Sequence, residues 1–175
     1  MGVLRTLRDV LGASYFVSGG FVRNKVWDIQ HGFTRATPLD DVDIIYYDSA
    51  DSSRSHDRAL EATLSAKRSD VPWSVKNQAR MHLVTGDEPY ISLEDALVKW
   101  PDTATAVAVN LDHDGQIGIL APHGFTDLLN LIVRPTPHFY SHPLRYEQRL
   151  REKMWHRTWP KLRITHLMPT SEPAA

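Results

Sequence analysis

Asp41 and Asp43 stand two residues apart in the run Asp41-Val42-Asp43-Ile44-Ile45-Tyr46-Tyr47. The β-branched and aromatic content predicts a well-buried strand. Residues i and i+2 of a strand share a face, so the two carboxylates lie side by side among apolar neighbours. Adjacent anions are costly unless a cation compensates them. Hard oxygen donors without nearby histidine or cysteine favour magnesium or manganese; the plainer alternative is an ion pair with Arg23 or Arg35. Upstream, Gly19-Gly20 ends a short β-type run, Tyr15-Phe16-Val17-Ser18, and precedes a helical pattern. Glycines let a backbone approach a ligand closely, and the N-terminus of the following helix offers free N–H groups and positive dipole to phosphate oxygens. Arg23, in the first turn, adds charge. The two halves together describe a polyphosphate cradle facing a metal-binding carboxylate pair. A second such pair, Asp112-His113-Asp114, precedes Gly115 and reads as turn chemistry.

The elements that must hold these groups follow from periodicity. Leu4, Leu7, Val10 and Leu11 mark an amphipathic helix closed by Gly12, and Val22, Val26 and Ile29 mark a second, stopped near Gly32. A third helix is expected over residues 51–67. Pro72 to Lys76 reads as a strand, with Asn77 placed to cap the helix after it, and Ser92-Leu93-Glu94-Asp95 has capping-box spacing before a helix ended by Pro101. Val107 to Leu111 and Gln116 to Leu120 form a hairpin across Asp114-Gly115. A helix from Phe125 to Leu131 follows, and another spans residues 144–159. Interleaved strands and helices with one hairpin predict an α/β (α+β) fold: a mixed β-sheet flanked by helices, with a C-terminal helix.

The 175 residues carry a formal net charge of −1, 42% hydrophobic residues and no cysteine. That describes a globular chain able to bury a core unaided, without disulfides or thiolate zinc sites. No apolar run reaches the ~18 residues of a membrane span, and no signal peptide is evident, so a cytoplasmic protein without membrane contact is expected. The nine histidines lack zinc-site spacing, and Ser18 lacks a nucleophile elbow. Pro135-Thr136-Pro137 is a candidate boundary, giving a main domain over 1–140, a basic helical extension over 141–168 and a flexible tail over 169–175. In the extension, Arg145, Arg149, Arg151, Lys153, Arg157, Lys161 and Arg163 face only Glu147 and Glu152, a pattern able to grip nucleic acid. The spacing of Tyr146, Leu150 and Met154, extended by Trp155 and Trp159, favours a helix docked on the core instead.

Gly19-Gly20-Phe21-Val22-Arg23-Asn24, with Gly32 and Asp41-Val42-Asp43 downstream, resembles the head motif of the DNA polymerase β-like nucleotidyltransferase superfamily, including the Gly-Gly-x-Val-Arg-Asp start of tRNA nucleotidyltransferases. Over residues 13–137 the chain is similar to a family of small nucleotidyltransferase-like proteins. The matching blocks are Arg23 to Asp28, Asp41 to Asp48, Val75 to His82, Trp100 to Val107 and Ala121 to Leu128. The resemblance implies a mixed-sheet core, Asp41 and Asp43 holding Mg2+ or Mn2+, and a nucleoside triphosphate substrate. It implies transfer of a nucleoside monophosphate to an acceptor (RNA, protein or small molecule) with release of pyrophosphate. A non-catalytic nucleotide-binding or interaction protein on the same fold is the alternative. Nucleotide-binding candidates are Gly19, Gly20, Arg23, Asn24, Lys76, Asn77 and Arg80, although Asn77 as a cap and Arg80 as a surface charge are equally consistent with the pattern. Three departures stand out. The stretch between glycines and Asp pair is longer than the superfamily's, Asn24 replaces an aspartate, and the third carboxylate often carried on a later strand has no evident match. Glu94, Asp112 and Asp127 are the remaining substitutes.

Overall fold

A computed structural model describes residues 1–169; the tail expected from residue 169 therefore lies, but for its first residue, outside the described residues. The elements follow in the order α1 (Gly2–Leu11), β1 (Phe16–Ser18), α2 (Gly20–His31), β2 (Val42–Tyr46), α3 (Arg54–Lys67), β3 (Trp73–Asn77), α4 (Gln78–Thr85), α5 (Leu93–Val98), β4 (Ala108–Leu111), β5 (Ile117–Leu120), α6 (Thr126–Leu129) and β6 (Ile132–Val133). A 3-10 turn (Pro137–Ser141), α7 (Pro143–Lys153), α8 (Trp155–Thr158) and β7 (Arg163–Ile164) complete the chain. Five strands form one mixed sheet in the order β3-β2-β1-β4-β5, in which only β2 and β3 run parallel, and β6 pairs with β7 apart from it. None of the described helices is long and apolar enough to cross a membrane.

Alternation along the strands assigns the two faces. Val42, Ile44 and Tyr46 of β2, with Trp73 and Val75 of β3, enter a core with Leu4 and Leu7 of α1 and Leu64 of α3. Asp43, Ile45, Ser74 and Lys76 consequently face the other way, where Ile45 packs with Leu97 of α5 and Ala108 of β4. The expected caps at Asn77 and Ser92 are present, their side chains accepting from the backbone N–H of Ala79 and Asp95, and Ser53 supplies a further one by accepting from His56 N–H.

The helix expected over 144–159 is instead two. Met154 adopts a left-handed conformation (φ 43°), its N–H closing the last turn of α7 on Leu150 O, and α8 restarts at Trp155. A continuous helix would commit one stripe to the core. The break turns Trp155 and Trp159 inward while leaving Met154 partly exposed, so Met154 does not extend the docked stripe of Tyr146 and Leu150. The Pro135–Pro137 stretch does not separate two cores, because Trp27 of α2, Val133, Phe139, Tyr146, Leu150, Trp155 and Trp159 form one buried cluster. Trp27 meets Trp155 and Trp159 edge-on at 5.4 and 5.1 Å between ring centroids. Trp159 Nε1 donates to Asp28 Oδ1 at 2.9 Å.

Candidate active site

Gly19 caps α2 with φ 60°, a backbone region that side chains rarely adopt. A β-carbon there would lie 3.2 Å from Asp43 Oδ2, so glycine is needed both for the turn and for the close approach of α2 to the carboxylate. The first intrahelical bond runs from Arg23 N to Gly19 O at 3.0 Å, which leaves the amides of Gly20, Phe21 and Val22 open, as at any helix start. Asp41, just before β2, and Asp43, within it, line one cavity of about 340 Å³ together with Gly19, Gly20, Arg23, Asn24 and Lys76. That volume lies within the usual range of ligand sites. Asp41 makes neither hydrogen bond nor ion pair with another described residue. Asp43 Oδ1 is held at 2.5 Å by Lys76 Nζ, from the neighbouring parallel strand. The partner considered from sequence, Arg23 or Arg35, is thus replaced by Lys76, which strand alternation brings to the same face.

Arg23 is buried, with 7% of its surface exposed. Nη1 donates to Thr105 Oγ1 and Nη2 to Asn24 Oδ1, both at 2.9 Å, while Nε has no partner among the described residues. Its guanidinium lies over the rings of Trp27 and Trp155, at 5.0 and 4.4 Å from their centroids. Burial lowers its pKa to about 10, with the Arg149 charge acting in the same direction and Asp102 and Asp43 opposing. It remains a cation at neutral pH.

A family model described as nucleotidyltransferase matches residues 8–164. This chain belongs to the nucleotidyltransferase family. An NMR structure reported to reveal a CCA-adding enzyme head domain is similar over 95% of this chain and 88% of its own, with TM-score 0.80 and 32% identity. Two larger enzymes share the fold: a tRNA nucleotidyltransferase complexed with a primer tRNA and an incoming ATP analog (TM-score 0.59, 18% identity, 94% of this chain and 47% of that one) and the Thermotoga maritima CCA-adding enzyme complexed with tRNA (TM-score 0.56, 17% identity, 94% and 38%). The chain spans less than half the length of these two. No curated protein sequence matches it.

In this nucleotidyltransferase, Asn77 and Arg80 stand apart from the other candidates. Asn77 is fully buried; its Oδ1 accepts from the amides of Ala79 and Asp48, and its Nδ2 donates to Asp48 O and Asp51 O, tying β3 to the loop after β2. Arg80 is paired with Asp57 and donates to Ser52 O. Neither lines the cavity. None of the three substitute carboxylates does so either. Asp112 is bonded within its turn, Asp127 holds Thr103 and Arg134, and Glu94 is exposed on α5. Among the described residues, no three His, Cys, Asp or Glu side chains converge on a metal position.

The cavity also includes residues beyond the nucleotide-binding candidates taken from the sequence. Asp40 adds a carboxylate beside Asp41, Tyr90, Trp100 and Phe139 add aromatic surface, and Lys99 adds a cation. Above all, Arg145, Arg149 and Lys153 of α7 line the wall. Their i, i+4, i+8 spacing runs one residue ahead of Tyr146 and Leu150, so α7 docks by one stripe and turns an adjacent basic stripe to the site. The sequence carries that second stripe in the four-residue spacing of Arg145, Arg149 and Lys153.

Proposed function

We propose that this nucleotidyltransferase is magnesium-dependent and transfers a nucleoside monophosphate from a nucleoside triphosphate to an acceptor hydroxyl. The acceptor oxygen bonds to the α-phosphorus as the bond to the α–β bridging oxygen breaks. Pyrophosphate leaves with the electron pair, and the hydroxyl proton passes to water. The observation that carries this reading is the packing of the Gly19 turn against Asp43, so close that a β-carbon at Gly19 would lie 3.2 Å from Asp43 Oδ2, which sets an open helix N-terminus beside a carboxylate pair.

The residues fit a magnesium ion. Among the described residues Asp41 has no partner and Asp43 Oδ2 has none either, and magnesium in such sites takes one or two carboxylates with substrate phosphates and water completing the shell. Asp41 and Asp43 would hold it, and when bound it supplies charge neutralisation for the phosphates. The protein's own groups do the rest. The α2 amides receive phosphate oxygens, Arg23 contributes fixed charge, and Tyr90, Trp100 and Phe139 offer surface for a base to pack on. Lys76 orients the Asp43 carboxylate through its contact with Oδ1.

RNA is the first acceptor to test, because the similar structures include enzymes captured with tRNA. The test incubates the protein with each labelled triphosphate, magnesium, and RNA, protein or small-molecule fractions. Pyrophosphate release with label in one fraction, abolished by chelation, supports the reading. Magnesium-dependent binding without pyrophosphate release selects the non-catalytic nucleotide-binding alternative.

A further inference from the structure

Arg23 and Arg149 come from opposite ends of the chain to the same indole. Their guanidinium carbons lie 4.4 and 5.2 Å from the Trp155 ring centroid. Both are held by the loop between α5 and β4: Arg23 Nη1 donates to Thr105 Oγ1, Thr105 N donates to Asp102 Oδ1 at 2.8 Å, and Arg149 Nε donates to Asp102 Oδ2 at 3.2 Å. Two like charges brought this close in a largely buried setting repel, and Arg149 accordingly helps to lower the pKa of Arg23. The counter-charge within the protein is incomplete. Asp102 is fully buried and engages Arg149 through Nε alone, while Asp43 is already paired with Lys76.

Both arginines line the cavity. Arg23 Nε is buried and has no partner among the described residues, and of the Arg149 nitrogens only Nε bonds to a described side chain. A guanidinium has five N–H donors in a planar fork that matches phosphate oxygens, so an unfilled pair of them is a ready receptor for a polyanion. The pair also abuts the helix start, since Arg23 Nη2 lies 3.7 Å from where a Gly20 β-carbon would be.

We infer that Arg149, carried by the C-terminal helix α7, is the second half of a two-guanidinium clamp with Arg23 that holds the polyphosphate tail of the triphosphate and retains pyrophosphate as it departs. The inference rests on the nucleotidyl-transfer reading and deepens it: the site is incomplete without the segment after residue 140. Asp102 and Thr105 act as positioning residues, keeping the two forks in register.

The test measures calorimetric affinity for inorganic tripolyphosphate without metal, and for nucleoside monophosphates, in the full chain. Arg149→Met keeps an unbranched stem against Trp155 but strands the Asp102 charge, so the double variant Arg149→Met/Asp102→Asn removes both charges together. Arg149→Lys keeps the charge and loses the fork. Both Met variants are expected to weaken tripolyphosphate binding about 10-fold or more, roughly 1.4 kcal/mol, with Arg149→Lys intermediate and monophosphate binding changed less than about twofold. A structural role alone would lower the melting temperature and leave the affinity ratio intact, so an unchanged ratio in the double variant overturns the clamp. Absence of tripolyphosphate binding by the wild-type protein overturns it too. If the Met variants lose tripolyphosphate while the wild type releases no pyrophosphate, the clamp stands and the transfer reading falls. Normal tripolyphosphate binding by the double variant, with pyrophosphate release by the wild type, removes the clamp alone.

Discussion

The chain writes Asp-x-Asp twice, and the two copies meet opposite fates. In the β4–β5 hairpin, Asp112 Oδ1 accepts from the amides of Asp114 and Gln116 at 2.9 and 2.8 Å; its charge is consumed by the turn it creates. Before and within β2, Asp41 has no partner among the described residues, and Asp43 has one cation on one oxygen. A carboxylate that nearby backbone donors can reach is satisfied locally. One raised on a strand face meets only what packing brings, and this fold brings an open cavity. A binding carboxylate is thus marked by what the protein leaves undone rather than by its motif.

The sharpest break of that comparison is neutralisation. Asp41→Asn and Asp43→Asn keep shape and remove charge, and each is expected to lower magnesium-dependent pyrophosphate release about 100-fold or more, with a melting temperature close to wild type. Wild-type turnover in both would reduce the first pair to the status of the second. The glycines give a matched contrast. Gly19 and Gly115 both have positive φ, 60° and 77°, so alanine should cost either position about 1–3 kcal/mol by denaturant titration. Only Gly19→Ala, whose β-carbon would meet Asp43 Oδ2 at 3.2 Å, should also impair triphosphate binding.

Asp28 extends the series to a carboxylate that is buried and fully served. Burial alone would raise its pKa, but hydrogen bonds from Thr37 and Trp159 hold it below the ordinary value. A native pKa below the unfolded one means that the stabilisation is complete above about pH 4 and is lost as pH falls through the native value. Asp28→Asn should cost about 1–3 kcal/mol near neutrality, and urea midpoints measured from pH 6 to pH 2 should fall less steeply in the variant than in wild type. The smallest effect belongs to Asp112→Asn, whose amide oxygen can still accept from the turn. Stability within about 0.5 kcal/mol of wild type and unchanged turnover are expected.

Much of the local structure was legible because its causes lie within four residues. The caps at Asn77 and Ser92 and the turn role of Asp112 each depend on a side chain meeting backbone nearby, and the glycine ends of α1 and α2 on local backbone conformation. The break at Met154 was not legible. A left-handed methionine is locally unfavourable, and it is held by the burial of Trp155 and Trp159 against Trp27, a contact made across more than a hundred residues. Asn77 was half legible: its cap on Ala79 is local, whereas its bonds to Asp48 and Asp51, which close it off from any ligand, come from another strand's loop.

By itself, the sequence determined that a glycine pair separates β1 from α2, that Asp41 and Asp43 share one face, and that Tyr146 and Leu150 form an apolar stripe suited to docking, since period and side-chain size decide these without reference to distant partners. Tertiary structure alone decided that Lys76 compensates Asp43, that Asp41 stays open, and that Arg149 reaches the indole beneath Arg23. The reason is physical. A cation's choice of anion depends on which side chains packing delivers within a few ångströms and on how much water it removes between them. Neither quantity is contained in the spacing of residues along a chain.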